Sequence, residues 1–223
     1  MVKNIRIVLF TKPDKPTVKE AIAYLRNNFS DLSVYAGNRG DPFPKKALKG
    51  DQEILVSYIS PWIIPENILR RTKLWNINFH PGPPGYPGIG CFNFAIYNGE
   101  KTYGATAHIM ENKVDTGKII GVRRFPFSKG DSVYALSIKT YDQMLALFYE
   151  VMDFILAHND LPRTGEKWKR IPYTRRQLNE LCRINAGMKK NEIEKRIRAT
   201  VYPGMPGAYI EIHGQKFTYT ENE

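Results

Sequence analysis

Asn78 and His80 stand two residues apart in "NINFHPGPPGYPGIGCFN", Asn76 to Asn93, at the end of an apolar run. On a strand, residues of equal parity point to one face, so this pair faces one way. A histidine near its reference pKa of about 6.5 takes or gives a proton at neutral pH. An asparagine amide can donate to an oxygen that becomes negative in a transition state. A third group must orient the imidazole or pass its proton on. Asp115, in the turn-rich "ENKVDTGKII", is the candidate, with His108 shortly before it. Taken singly these residues are ordinary. A strand histidine is more often a hydrogen-bonded core residue, Asp before Thr-Gly is a common turn residue, and His108 could simply pack. The residues alone define a polar cluster and no reaction.

The elements that must position this cluster follow from apolar periodicity. "IRIVLF" reads as a strand, and "TVKEAIAYLRNNF" as a helix with Thr17 as side-chain N-cap and Glu20 closing a capping box. "LSVYAG" and "EILVSYIS" are further strands, "PENILRRT" a short helix, and "LWNINFH" a fourth strand. Such alternation predicts βαβ units, a mostly parallel sheet covered on both faces, and ligands beyond the carboxyl ends of its strands. Ser57–Ser60 and Asn78–His80 lie at two such ends. "TYGATAHIM" and "KIIGVRRFPF" then predict a hairpin that extends the sheet in antiparallel fashion. The stretch from Ser132 to Asp160 carries the apolar stripe of one long helix. From about Leu161 the chain turns basic and Pro-containing. It then offers a short helix "NEIEKRIRAT" and a hairpin with its tip at His213-Gly214. The expected division is a catalytic domain over residues 1–160 and a small subdomain of helix and hairpin over 161–223.

The bulk of the chain bounds these readings. Its 223 residues, 42% hydrophobic and 25% charged, suit a globular core and argue against disorder. No run of about 18 apolar residues predicts a membrane span. The opening segment reads as a strand rather than a signal peptide, and two cysteines without disulfide spacing suit a cytoplasmic protein. The net charge of +11 points to an anionic partner, either nucleic acid or small anionic substrates. There is no nucleophile elbow and no phosphate-binding Walker sequence, and prolines interrupt the glycines at 85, 88 and 90. Four scattered histidines and two cysteines give no metal-ligand spacing, so no metal is expected.

"NINFHPGPPGYPG" followed by "GATAHIMENKVDTGKII" resembles the signature of the folate-dependent N-formyltransferases. The resemblance implies a Rossmann-like α/β fold and transfer of a formyl group from N10-formyltetrahydrofolate to an amine, without metal. Carried over by position, Asn78, His80 and Asp115 match the catalytic trio, with His80 as base or relay, Asn78 on the formyl oxygen and Asp115 as partner of His80. The same resemblance places the folate between "SPWIIP" and "ENKVD", naming Trp62, Ile63, Ile64, His108, Lys113 and Val114 as cofactor contacts.

The Pro-Gly loop Pro81–Asn93 resembles that of the sugar N-formyltransferases. It implies a nucleotide-linked amino sugar as acceptor, starting with dTDP-4-amino-4,6-dideoxyglucose for surface polysaccharide. GDP- and UDP-linked sugars fit equally. Pro81, Gly82, Pro83 and Tyr86 would wall the sugar pocket, and Lys45, Lys46, Arg198 and Tyr202 are the candidates for the diphosphate or base. Glycinamide ribonucleotide formylation is the rival within enzymes, and an inactive nucleic-acid-binding module the rival outside them. The apolar tail residues Tyr209, Ile210, Ile212, Phe217 and Tyr219 would either seal a homodimer or cover the chain's own body.

Overall fold

The computed structural model of the chain describes residues 3–128 and 130–220. Met1–Val2 and the segment 221–223, the outer ends of the two expected units, lie outside the described residues. The order is β1 (Lys3–Thr11), α1 (Val18–Asn28), β2 (Phe29–Ala36), β3 (Gln52–Tyr58), α2 (Glu66–Leu69), β4 (Thr72–His80), α3 (Cys91–Asn98), β5 (Thr102–Ile109) and β6 (Ile119–Pro126). There follow α4 (Val133–His158), α5 (Arg175–Cys182), β7 (Arg183–Ile184), α6 (Lys190–Thr200), β8 (Tyr209–Ile212) and β9 (Gln215–Thr218).

Six strands form one sheet in the order β2-β1-β3-β4-β5-β6. The first four are mutually parallel, and β5 and β6 continue antiparallel, as the sequence predicts. Strand parity sorts the core. Ile7, Leu9, Ile54, Val56, Ile77 and Phe79 pack with Leu25 of α1 and Met144, Phe148 and Met152 of α4. Their neighbours Val8, Phe10 and Leu55 point the other way, onto Ile64, Ile68, Leu69 and Ala47 of the 3-10 turn Lys45–Leu48. Both faces are covered, which explains why these strands read as near-continuous apolar runs. Because Ile77 and Phe79 face α4, Asn78 and His80 face the opposite side.

A third cluster gathers α3, Val133 and Leu136 of α4, Tyr173, Leu181 and Ala199. The chain after α4 therefore returns to the body before it forms the separate three-stranded sheet β7-β8-β9. The β8–β9 hairpin turns through His213 (φ 49°) and Gly214 (φ 76°), the two positive angles of a tight type I′ turn. Ile210 opposes Phe217 across this hairpin, and Ile212, Phe217 and Tyr219 are exposed. Among the described residues no helix is long and apolar enough to cross a membrane.

Two local expectations need correction. Thr17 occupies the N-cap of α1 but sits at φ 68° and makes no side-chain cap. Its hydroxyl bonds the Tyr58 hydroxyl at 2.7 Å instead, so the loop after β1 is tied to the end of β3 rather than to the helix. Helix α5 was not expected, although Leu178, Leu181 and Cys182 stand three and four residues apart on it, with Leu181 its one buried residue. Its start is nevertheless written in the sequence: Thr174 and Gln177 cap each other's backbone N–H groups as a complete capping box.

Candidate active site

The parity argument holds in detail. The Asp115 carboxylate stands 3.2 Å from Nδ1 of His80 through Oδ2. Its Oδ1 lies 3.2 Å from Nε2 of His108 and 3.4 Å from Nδ2 of Asn78. The Asn78 amide also reaches His108 Nε2 at 3.0 Å. Strand β5 brings His108 into the group because its register sets Asn78 directly against His108. His108 is thus a fourth member of the polar cluster. Its other ring nitrogen donates to the Ile109 carbonyl at 2.8 Å, which fixes Nε2 toward Asp115.

His80, His108 and Asp115 are each at most 5% exposed, whereas Asn78 is only partly buried. Asn78 is therefore the group of the four that an incoming ligand can touch first. Burial alone would raise the Asp115 pKa, but His80 beside it, the hydrogen bond to His108 and the Gly88 N–H at 2.8 Å outweigh it. The carboxyl is held well below the usual range, and Asp115 is a fixed negative charge. Its backbone lies at φ 49°, a left-handed conformation that Asp tolerates better than most residues.

The Pro-Gly loop shapes the other side of His80. Nε2 of His80 donates to the Tyr86 carbonyl at 2.8 Å, so this loop fixes the ring from behind while Asp115 holds it in front. The loop's carbonyls are themselves anchored: Tyr103 and Cys91 donate to Pro81, and Thr106 to Gly82. Gly82, Pro83 and Tyr86 are buried and Pro81 is partly buried. Tyr86 donates its hydroxyl to Glu100 at 2.6 Å and stacks on Tyr173, so its ring faces the core.

A strap after α4 roofs the cluster, and nothing in the sequence singled it out. Lys169 N–H donates to Pro84, Tyr173 N–H to Pro87, and Ile89 N–H back to Tyr173, so residues 169–173 run along the Pro-Gly loop. Trp168 comes edge-on to the rings of both His80 and His108, at 5.9 and 5.1 Å. Its Nε1 donates to the Gly117 carbonyl at 2.8 Å. An indole set over two imidazoles excludes water and strengthens the electrostatics beneath it.

The proposed folate loops adjoin each other. Asn112 hydrogen-bonds Glu66 at the start of α2, which together with Arg70 keeps that exposed carboxyl below its usual pKa. Ile63 and Val114, on the two loops, are exposed at 75% and 46%, an unusual placement for such side chains. Lys113 is exposed as well. Ile64 is buried, and the Trp62 ring packs against Phe10 and Phe43 with its Nε1 donating to the Asp41 carbonyl at 2.9 Å. Between the loops, Ile59 follows β3 at φ 56°, a strained conformation for a β-branched residue.

The diphosphate candidates stand apart from one another. Lys45 and Lys46 lie exposed on the 3-10 turn beneath β1 and β3. Arg198, on α6, donates to the Ile96 carbonyl of α3 at 3.1 Å, and Tyr202 packs edge-on against Tyr134 of α4.

Comparison with known proteins places this geometry. Residues 45–152 match the formyl transferase family. Methionyl-tRNA formyltransferase of Dictyoglomus turgidum is 31% identical over 162 residues, covering 67% of this chain and 50% of that protein. GDP-perosamine N-formyltransferase of Brucella melitensis is 26% identical over 169 residues, covering 75% of this chain and 64% of that protein. The chain thus spans one half to under two thirds of the length of these relatives. A 4-N formyltransferase from Francisella tularensis superposes with a TM-score of 0.77 at 21% identity, covering 97% of both chains. An N-formyltransferase from Helicobacter canadensis, solved with folinic acid and dTDP-3-aminofucose, superposes with a TM-score of 0.71 at 20% identity. It covers 94% of this chain and 85% of that one. At such identities the structures establish the fold. The chain carries a formyl transferase domain over residues 45–152, the family its Asn-x-His and Asp motifs resemble.

Proposed function

We propose that this chain is a sugar N-formyltransferase that moves a formyl group from N10-formyltetrahydrofolate to the amino group of a nucleotide-linked amino-dideoxy sugar. The observation that carries the reading is the convergence of Asn78, His80 and His108 on one ionised carboxylate, with Asn78 the most exposed of the four. The attacking amine adds to the formyl carbon and the carbonyl oxygen becomes an oxyanion. Asn78 donates to that oxygen, giving up its 3.4 Å contact with Asp115, the longer and weaker of its two. With Nε2 donating to Tyr86, the Nδ1 edge of His80 faces the Asp115 carboxylate at 3.2 Å. The amine's proton passes to the His80–Asp115 pair and from it to N10 as the carbon–N10 bond breaks. One proton leaves the amine and one reaches the folate.

The sugar acceptor is supported by the Pro81–Asn93 loop and by what the relatives act on. One relative is named for GDP-perosamine, and one structural neighbour was solved with dTDP-3-aminofucose. The preferred acceptor is dTDP-4-amino-4,6-dideoxyglucose, for cytoplasmic synthesis of a surface polysaccharide precursor. The exposed Ile212, Phe217 and Tyr219 are proposed to meet a second copy of the chain. A methionyl-tRNA acceptor is the second reading, favoured by the 31% identity to such an enzyme.

The test is a product assay by mass spectrometry. It uses N10-formyltetrahydrofolate with amino sugars linked to dTDP, GDP and UDP, alongside glycinamide ribonucleotide and methionyl-tRNA. Gain of one formyl group on a nucleotide sugar is expected. Gain on glycinamide ribonucleotide or methionyl-tRNA alone overturns the sugar reading.

A further inference from the structure

The carbonyl that grips His80 belongs to a residue whose own side chain is tied down at its far end. Tyr86 accepts from His80 Nε2 at 2.8 Å, and its N–H closes a turn onto the Pro83 carbonyl at 2.8 Å. Its ring lies beside those of Tyr173 and Tyr103, with centroids 6.1 and 6.2 Å away. Ring pairs tolerate centroid separations from about 4.5 to 7 Å, so these contacts hold the ring without fixing where it stops. The hydroxyl sets the stop. It donates to the Glu100 carboxylate at 2.6 Å and accepts from the Asn98 amide at 3.0 Å. Burial first, then the bond to Glu100, raise the pKa of that hydroxyl, so it stays a donor at neutral pH.

The two residues at the hydroxyl are placed by the way α3 ends. Gly99 sits at φ 70° and donates its N–H to the Ile96 carbonyl at 3.1 Å, while Glu100 N–H donates to the Ala95 carbonyl at 3.1 Å. These are the paired bonds of a Schellman ending, which a glycine in the left-handed conformation makes possible. Glu100 is exposed, yet its backbone is held to the helix. The same helix begins at Cys91, shortly after Tyr86, and its Phe94 stacks on Tyr173 at 3.7 Å. Helix, strap and loop thus form one frame around Tyr86. A tyrosine turns about only two side-chain bonds, so a ring held at its hydroxyl leaves its own carbonyl little room to move.

We propose that Glu100, an exposed residue outside the polar cluster, is a positioning residue for His80: through the Tyr86 hydroxyl it holds in place the carbonyl that receives the Nε2 proton. Asn98 assists at the same hydroxyl. Removing an exposed carboxylate is ordinarily of little consequence. Here it strips the acceptor from the hydroxyl of a tyrosine that is 6% exposed, and the ring can then slide between its neighbours. The carbonyl moves with it, and the imidazole loses the partner opposite Asp115. The effect on turnover rests on the formyl-transfer reading, whereas the effect on the imidazole does not.

Steady-state kinetics and histidine NMR of the full chain test it. Glu100→Ala and Tyr86→Phe are each expected to lower kcat about tenfold, the scale of one hydrogen bond to a charged group, with the KM for folate unchanged. Because both act through one link, the double variant should lose no more than the worse single one. Glu100→Gln keeps an acceptor oxygen and should recover most of the rate. In isotope-labelled protein the His80 Nε2–H signal should broaden or shift in Glu100→Ala and Tyr86→Phe. The Nδ1–H signal of His108, bonded to the Ile109 carbonyl, should stay, and with unchanged folinic acid binding it reports an intact fold. A His80 signal that stays where the parent has it overturns the assignment, as do an unchanged kcat or losses that add in the double variant. If the parent formylates no acceptor, the reaction reading fails and the His80 signal alone decides.

Discussion

His80 donates from Nε2 to the carbonyl oxygen of Tyr86, 2.8 Å away, and so is gripped by the loop that follows it in sequence. The proline- and glycine-rich composition of that loop has its explanation here. A loop with little freedom to lose presents one carbonyl at a fixed place. Gly82 makes room for the bond: a Cβ there would lie 2.6 Å from His80 Nε2 and 3.0 Å from the Tyr86 oxygen. Gly82→Ala is expected to rotate the imidazole and lower kcat about a hundredfold, the usual effect of misplacing a reacting group by about an ångström. Steady-state kinetics beside folinic acid binding checks this. Unchanged kcat would mean that the Tyr86 contact is dispensable.

Asp115→Asn should lower kcat about a thousandfold, the scale of a general acid–base partner, with no recovery at any pH. The sign of its pH effect follows from the depressed carboxyl pKa. Its stabilisation is fully present above the unfolded value of about 3.9 and is lost only as pH falls through the lower folded value. The gap in stability between parent and Asp115→Asn should therefore be constant from pH 8 to about 5 and shrink below about 4. Denaturant unfolding at several pH values reads it. A gap that closes near neutrality would show that Asp115 is not the fixed charge described above.

Trp168 works through the imidazoles it covers, so it is a positioning residue. Trp168→Ala should cut kcat about tenfold while the KM for folate moves little, and Trp168→Phe should recover part of the loss because it keeps a ring over His80 and His108. Gly88→Ala should act in the same direction, through the strap and through the N–H that Gly88 donates to Asp115. A Cβ at Gly88 would come within 2.3 Å of the Tyr173 carbonyl oxygen and push the strap off its seat. The two variants should therefore share the kcat defect, and Gly88→Ala should add protease cleavage between residues 161 and 173. Equal kcat in all three chains would remove the roof from the mechanism.

Cys91 is buried, and burial raises its thiol pKa to about 11. At pH 8 about one thiol in a thousand is ionised, so iodoacetamide should spare Cys91 in the folded chain and label Cys182 first. Mass mapping of the labelled protein decides between them. Prompt labelling of Cys91 would show that the Pro81 loop opens on the reaction's timescale.

How far the sequence could be read depended on how far apart the partners lie in it. Asn78 and His80 belong to one strand, and alternation alone set them on one face. Asp115 is a loop residue whose meaning came from resemblance, because no periodicity connects it to His80. His108 was named beside Asp115 and, by resemblance, as a folate contact; its meeting with Asn78 depends on the antiparallel register of β4 and β5. Trp168 sits in a strap without periodic structure. Thr17 was misread for the opposite reason. A local rule predicted a cap, and a distant hydroxyl, that of Tyr58, won its side chain.

The position of the strap sets when each copy can begin to work. A chain emerging from the ribosome has Asn78, His80 and Asp115 in hand well before Trp168 and Tyr173 are available to close over them. A product that stops at the end of α4 would present these polar groups to water with no roof, and the Pro-Gly loop would lack its backbone partners at Pro84 and Pro87. The roofed site therefore exists only once residues 168–173 have joined the Pro-Gly loop and covered the two imidazoles.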